Sequence, residues 1–97
     1  MANQFTNITL GAPTTTTITI YPCILSGIVI NKAAASAVIA IYNGATVASG
    51  TLIGTITMPG TLLESQKALD YKDIDCDKGL TIVTTTAQDI TVIHRPR

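Results

Sequence analysis

The chain has 97 residues, of which 46% are hydrophobic and only 12% are charged, and its formal net charge is zero. An average domain has about 25% charged residues, so this small domain is expected to bury aliphatic surface against other subunits. The balanced charge argues against general nucleic-acid binding. The longest apolar run, SAVIAIY, is far shorter than the roughly 20 residues that cross a membrane, and the first residues lack the pattern of a secretory signal.

Short segments rich in Thr, Ile and Val follow one another along the chain and are separated by turn signals. Strands are predicted at 4–10, 15–21, 23–31, 35–42, 51–57, 62–68, 79–85 and 89–95. About eight short strands at this spacing predict an all-β fold, an antiparallel and jelly-roll-like β-sandwich. Residues 1–14 are expected to form an N-terminal arm or an edge strand, and residues 15–97 a single β-sandwich domain.

The N-terminal third has no charged residue before Lys32. A strand that faces water normally carries some charge, so this part of the chain is expected to lie against protein. The apolar side chains predicted to contact a partner are Phe5, Ile8, Leu10, Ile18 and Ile20. The segments ILSGIVI and AVIAIY are apolar on both faces. They are therefore either central strands covered by a loop or arm, or strands whose outer face contacts another subunit.

The segment DIDCDKG is the best candidate for a cation site. Its carboxylates fill the first, third and fifth positions of a calcium loop: Asp73, Asp75 and Asp77. The glycine, Gly79, comes one residue late, and Thr84 stands where a bidentate glutamate is required. A strand explains the same spacing, with the three aspartates facing water, Ile74 and Cys76 facing the core, and a positive φ at Gly79. The strand is favoured over a weak cation site of another type, so no metal is expected.

The remaining reactive residues form no recognisable catalytic pattern. Cys23 and Cys76 have aliphatic neighbours and are predicted to be reduced thiols that act as small apolar residues. His94 is predicted to be a surface or interface residue. Because no nucleophile, phosphate-binding, dinucleotide or zinc motif occurs, we expect no catalytic residue, no cofactor and no enzymatic activity.

The segments VIAIYNGATVASGTLIGTITMPGTLLE and CDKGLTIVTTTAQDITVIHR resemble small β-sandwich virion proteins of tailed bacteriophages, over roughly residues 36–95. In those proteins a strand ending in YNG leads through a Ser/Gly/Thr loop into the next strand, and a DITVI-x-R strand closes the domain. The resemblance implies a structural role without catalysis, as a capsid decoration or cement subunit that stabilises the assembled shell by bridging capsid subunits. It also implies a homotrimer bound to the major capsid protein on the surface of a virion assembled in the host cytoplasm.

Two alternatives to the decoration protein stay open. The resemblance also fits a head–tail connector or a tail component. A lectin-like carbohydrate-binding module is the third possibility, because small jelly rolls also bind sugars. Sugars stack on exposed aromatic rings, and the chain has no Trp. The aromatic residues that remain for such a site are Phe5, Tyr21, Tyr42 and Tyr71.

Overall fold

Every element of the fold is a β-strand in the part of the chain that the structure describes. The structure is a computed structural model and describes residues 3–10, 14–32, 37–58, 68–85 and 88–97. The strands are β1 (Gln4–Leu10), β2 (Thr14–Thr19), β3 (Cys23–Lys32), β4 (Val38–Asn43), β5 (Thr51–Thr57), β6 (Ala68–Cys76), β7 (Leu80–Thr84) and β8 (Gln88–Pro96). No helix long enough to cross a membrane occurs within these described ranges.

The strands form two four-stranded antiparallel sheets. The first sheet has the order β1-β8-β3-β6 and the second has the order β2-β7-β4-β5. The pairs are nested, because β1 pairs with β8, β2 with β7, β3 with β6 and β4 with β5. This is one long antiparallel hairpin rolled into two sheets, which is the jelly-roll topology. The predicted eight-stranded, jelly-roll-like β-sandwich is confirmed.

The strand positions agree with the prediction at most places and differ in one region. β1 and β5 have the predicted bounds, and most of the other strands begin or end a few residues away. The strand predicted at 62–68 lies outside the described residues except for Ala68, and the sixth strand of the structure is β6. Four of the nine residues of this strand are charged, so its composition resembles that of a solvated turn more than that of a strand.

The core lies between the sheets, where the inward-facing residues of both sheets meet. It consists of side chains that are at most 4% exposed: Ile8, Cys23, Leu25, Ile28, Ile30, Ala37, Ile39, Ile41, Met58, Cys76, Leu80, Ile82, Ile90 and Val92. Burial alternates along most strands with the period of two that a pleated strand imposes. β3 and β4, the strands that are apolar on both faces, are each flanked by two neighbours within their own sheet.

The N-terminal segment forms part of the first sheet. β1 is the outermost strand of that sheet and pairs with β8 in an unbroken register from Gln4 opposite His94 to Leu10 opposite Gln88. The Ile8 side chain is buried in the core. β1 is therefore an edge strand of the first sheet.

Candidate functional site

The acidic segment forms the end of a strand, as the alternation of its residues predicts. All three carboxylates are exposed: Asp73, Asp75 and Asp77. Between them, Ile74 packs against the core and Cys76 is buried within it. The strand interpretation of this segment is confirmed.

Each of these carboxylates is bound by a different side chain, so they do not converge on one point. The three contacts are Asp73 Oδ2 with Arg95 Nη2 at 3.0 Å, Asp75 Oδ1 with Arg97 Nε at 3.1 Å, and Asp77 Oδ1 with Asn43 Nδ2 at 2.9 Å. The hydrogen bonds from Arg95 and Ser26 lower the pKa of Asp73. Among the described residues, no group of three or more His, Cys, Asp or Glu side chains is placed to hold a metal ion.

Asp73 also takes part in the hydrogen bonds that stabilise a bulge in β6. The register between β3 and β6 shifts at Ser26, and Lys72 and Asp73 have positive φ angles of 52° and 59°. Arg95 Nη1 donates to Ser26 Oγ and to Asp73 Oδ1, both at 3.0 Å, and the Lys72 N–H donates to Asp70 Oδ1 at 2.7 Å. These hydrogen bonds hold the bulge and explain how the uncommon backbone conformation is tolerated.

Replacing Asp73 and Asp75 together by asparagine should change the melting temperature by less than about 4 °C. The ion pairs are solvent-exposed, and such pairs contribute little, while an asparagine oxygen still accepts a hydrogen bond from each arginine. Thermal unfolding of the wild type and of the double variant, with and without calcium, measures this. A large calcium-dependent rise in melting temperature that the double variant loses would show that the carboxylates form a cation site after all.

His94 lies inside the sandwich, which contradicts its prediction as a surface or interface residue. The side chain is 8% exposed, and its Nε2 atom is 3.0 Å from Thr6 Oγ1. β8 alternates, so Ile90 and Val92 face the core and His94 continues the same inward row. Burial lowers the pKa of His94 because it disfavours the charged imidazolium.

A cavity of about 250 Å³ opens beside His94 at one end of the sandwich. Its walls combine polar and apolar side chains: Gln4, Ile18, Thr19, Tyr21, Pro22, Cys23, His94 and Pro96. The Tyr21 ring is 70% exposed at this end, while Cys23 is buried. The cavity therefore joins the exposed end of the sandwich to two groups of the core, an imidazole and a thiol.

Stability should fall as the pH is lowered from about 6.5, the ordinary pKa of histidine. The lowered pKa of folded His94 means that the unfolded chain binds this proton more readily, so acid favours unfolding, and above about pH 6.5 the effect disappears. The pKa values of Asp73 and Asp77 are lowered in the folded protein. Their contributions to stability are therefore lost only at a more acidic pH, below the ordinary pKa of aspartate. Cys23, the thiol in the same cavity, has a raised pKa because it is buried and stays neutral throughout.

Urea unfolding at pH 7.5, 6.5 and 5.5 measures this dependence. His94→Gln keeps a polar side chain opposite Thr6 without the titrating ring, so its stability should be nearly constant over these three pH values. An equally steep fall in the variant would contradict the assignment to His94.

The five residues predicted to form a partner interface lie in different environments. Phe5 is 73% exposed on the outer side of the first sheet, and Ile20 is 58% exposed just after β2. Ile8 is buried in the core and Ile18 packs against it, whereas Leu10 pairs through its backbone with Gln88. Of the four predicted interface residues whose side chains the structure describes, Phe5 and Ile20 present large exposed surface, and the interface itself stays a prediction.

A larger candidate surface is the outer face of the second sheet, here called the threonine face. The strand registers place ten side chains on it: Thr15, Thr17, Val38, Ala40, Tyr42, Leu52, Thr55, Thr57, Thr81 and Val83. None is charged, and the four strands that build the sheet contain no charged residue at all. The face is therefore an uncharged array made mainly of hydroxyl and aliphatic groups.

The threonine face is only partly covered by the chain itself. Thr81 is buried beneath the turn that follows β4, and its Oγ1 donates to the Gly44 carbonyl oxygen at 2.8 Å. Further along the face, Val83 lies directly opposite Ala40, and both are half-buried. At the edge, Leu52 is 51% exposed. The face thus leaves aliphatic side chains in contact with solvent on its middle and edge strands.

The outer face of the first sheet has the opposite character. Its charged and polar side chains bind one another across the strands, as Asp89 Oδ1 does by accepting from Asn7 Nδ2 at 2.8 Å and from Asn31 Nδ2 at 3.2 Å. Arg95 likewise connects β8 to β3 and β6. This face also carries apolar side chains, among them Phe5 and Val29, but unlike the threonine face it contains charged groups that are bound to one another.

Sequence reasoning identified β4 as apolar on both faces but missed the threonine face as one surface. The available signal was the absence of charge from four separate segments, 14–19, 38–43, 51–57 and 80–84. Their position in a common sheet follows only from the long-range pairing of β2 with β7 and of β4 with β5 and β7.

The resemblance to small virion proteins of bacteriophages rests on strands and turns, and it stays a prediction. No protein-family model matches the chain, and no curated protein matches it significantly.

Proposed function

We propose that this chain is a virion structural protein, a capsid decoration or cement subunit that associates with copies of itself and stabilises the shell by bridging capsid subunits. The proposed location is the outer surface of the capsid, on particles assembled in the host cytoplasm. The observation that carries the proposal is the threonine face, a complete sheet face without a charged residue. Uncharged faces with exposed aliphatic groups are typical of surfaces covered by other subunits.

The threonine face supports self-association. Its hydroxyl groups can form hydrogen bonds with a different surface of the next subunit, as a three-fold ring requires. Its methyl groups can be buried without removing a charge from water. By contrast, β6, at one edge of the first sheet, is protected by its charges and by its bulge. We propose a homotrimer in which the threonine face supplies the contacts between subunits.

β1 supports the bridging role. It is the outermost strand of its sheet, it has an unbroken register with β8, and its sequence QFTNITL contains neither charge nor proline. Natural edge strands usually carry a bulge or a charge against unwanted pairing. An edge without them is suited to receive a strand of a neighbouring protein, with the exposed Phe5 side chain filling a pocket of that neighbour.

The fold adds support by analogy only. Eight-stranded jelly rolls occur in viral capsid proteins and also in lectins, and a fold does not by itself define a function. The end cavity favours the lectin-like module as a second candidate, because the exposed Tyr21 ring stands beside the polar side chains of Gln4 and Thr19. A glycan array would show sugar binding if this second candidate is right, and Tyr21→Ala should abolish that binding.

The test of the proposal uses particles that lack this chain. We expect their shells to fail at a lower temperature than those of complete particles. Adding purified wild-type protein should restore the thermal stability of the shell. Phe5→Asp should restore it poorly, because a charge replaces the ring that β1 presents to the neighbour. Tyr21→Asp, which alters an equally exposed aromatic ring at the end cavity, should restore it fully. If particles without the chain are equally robust, the cement role is wrong and a connector or tail role takes its place.

A further inference from the structure

The two cysteines of the chain lie opposite each other on adjacent strands. In the antiparallel pair of β3 and β6, Cys23 is the direct partner of Cys76. Both side chains are in the core, with exposures of 2% and 0%. Directly opposite residues of antiparallel strands have Cα atoms about 4.5 or 5.5 Å apart. Disulfides join residues whose Cα atoms are about 4.4–6.8 Å apart, so the backbone already has a suitable separation.

The two thiols differ in access. Cys23 lines the end cavity, whereas Cys76 is not among the described residues that line it. A cavity of about 250 Å³ admits a molecule the size of hydrogen peroxide, since one water occupies about 30 Å³ in the liquid. Burial raises the pKa of Cys23 and raises that of Cys76 to about 12. Because the thiolate is the reactive form, oxidation should be slow and should begin at Cys23.

We propose that Cys23 and Cys76 are an oxidation site at which a small hydroperoxide converts the reduced pair into a cross-strand disulfide. The Cys23 thiolate attacks one peroxide oxygen, an S–O bond forms, the O–O bond breaks, and the departing hydroxide takes up a proton to become water. The Cys76 sulfur then attacks the Cys23 sulfur, the S–O bond breaks, and the hydroxyl leaves with the Cys76 proton as a second water. Two thiols lose two hydrogens and two electrons in total, and one hydroperoxide is reduced.

The disulfide would tie the inner strand β3 to the edge strand β6 of the first sheet. More than half of the chain lies between the two cysteines, so the crosslink would restrict the unfolded chain strongly and stabilise the folded one. For a domain of this size we expect the melting temperature to rise by about 10 °C or more. The protein would be made with free thiols in a reducing compartment, and the disulfide would form after the protein reaches an oxidising one.

The experiment treats the folded full-length protein with hydrogen peroxide for increasing times and then alkylates the remaining thiols in denaturant. Mass spectrometry should show a species that is two hydrogens lighter and not alkylated, with a peptide that links positions 23 and 76. The melting temperature should rise with the fraction of this species and return to its starting value after reduction with dithiothreitol.

Two single variants separate the steps. In Cys76→Ala, peroxide should leave a sulfenic acid on Cys23 that dimedone traps, with no rise in melting temperature. In Cys23→Ala, Cys76 should stay reduced over the same time. If a variant does not fold, the mass spectra and melting temperatures of the peroxide-treated wild type still test the proposal. Two alkylatable thiols after prolonged treatment, links between different molecules, or a linked species without higher thermal stability would each overturn the proposal.

Discussion

The variant Val83→Lys should convert the proposed homotrimer to a monomer. Val83 lies near the middle of the threonine face, on a strand flanked by two others, and it is half-buried opposite Ala40. In a subunit contact its lysine ammonium would leave water without a partner charge, which costs several kcal/mol. Since every 1.4 kcal/mol is a factor of ten, association should weaken by about 100-fold or more.

The matched control is Val29→Lys on the other side of the sandwich. Val29 is also a half-buried valine on the outer face of a flanked strand, but it belongs to β3 in the first sheet. This variant should keep the oligomeric state of the wild type. Sedimentation velocity at several concentrations measures both, and circular dichroism verifies that each variant is folded. Equal association of the two variants would show that the threonine face is not the contact between subunits.

Gly79→Ala should lower the free energy of unfolding by about 2–4 kcal/mol. Gly79 has a φ of +118°, a conformation essentially restricted to glycine. A Cβ atom at this position would also lie 2.7 Å from the carbonyl oxygen of Thr19, and the Gly79 carbonyl accepts a hydrogen bond from the Gly44 N–H at 3.1 Å. The turn is thus held between β2 and the turn after β4, and it has no room to shift. The melting temperature should fall by about 10–20 °C.

Gly54→Ala is the matched control, because Gly54 lies in β5 with a negative or extended backbone and nothing within 4 Å of an added Cβ atom. This change should be neutral or slightly stabilising, since alanine restricts the unfolded chain more than glycine does. Thermal unfolding of both variants decides the matter. A Gly79→Ala protein that melts within a few degrees of the wild type would contradict the close packing of this turn.

The sequence predicted the class of fold because local signals carried it. Period-two alternation and turn residues defined β1 and β5 with their bounds, and the spacing of the aspartates in DIDCDKG predicted their outward orientation. The sixth strand was predicted at 62–68, whereas β6 covers Ala68–Cys76. The prediction failed because Asp70, Lys72 and Asp73 lie where a bulge interrupts the strand. A bulge removes the alternation on which strand prediction depends.

The location of His94 was predictable in principle. The alternation in DITVIH places Ile90 and Val92 on one face of the last strand, and continuing that row by two residues reaches His94. The error came from treating a lone histidine as polar, whereas its partner Thr6 lies 88 residues earlier in the chain. A buried polar residue depends on such a distant partner, which alternation alone does not reveal.

The threonine face could not be assembled from the sequence. Each of its strands can be recognised as free of charge, but the neighbours of a strand in a jelly roll are set by pairings far apart in the chain, such as β2 with β7. The contact of Cys23 with Cys76 is hidden for the same reason, since β3 and β6 are separated by two strands of the other sheet.

Quantitative mass spectrometry of purified virions from the genome that encodes this chain tests the proposed function most directly. A decoration protein that bridges capsid subunits should be present in a fixed and high ratio to the major capsid protein, and a density map should place it in equivalent positions over the whole shell. Its absence from purified virions would contradict a virion role, and a small number of copies at a single vertex would contradict the role of a shell-stabilising subunit.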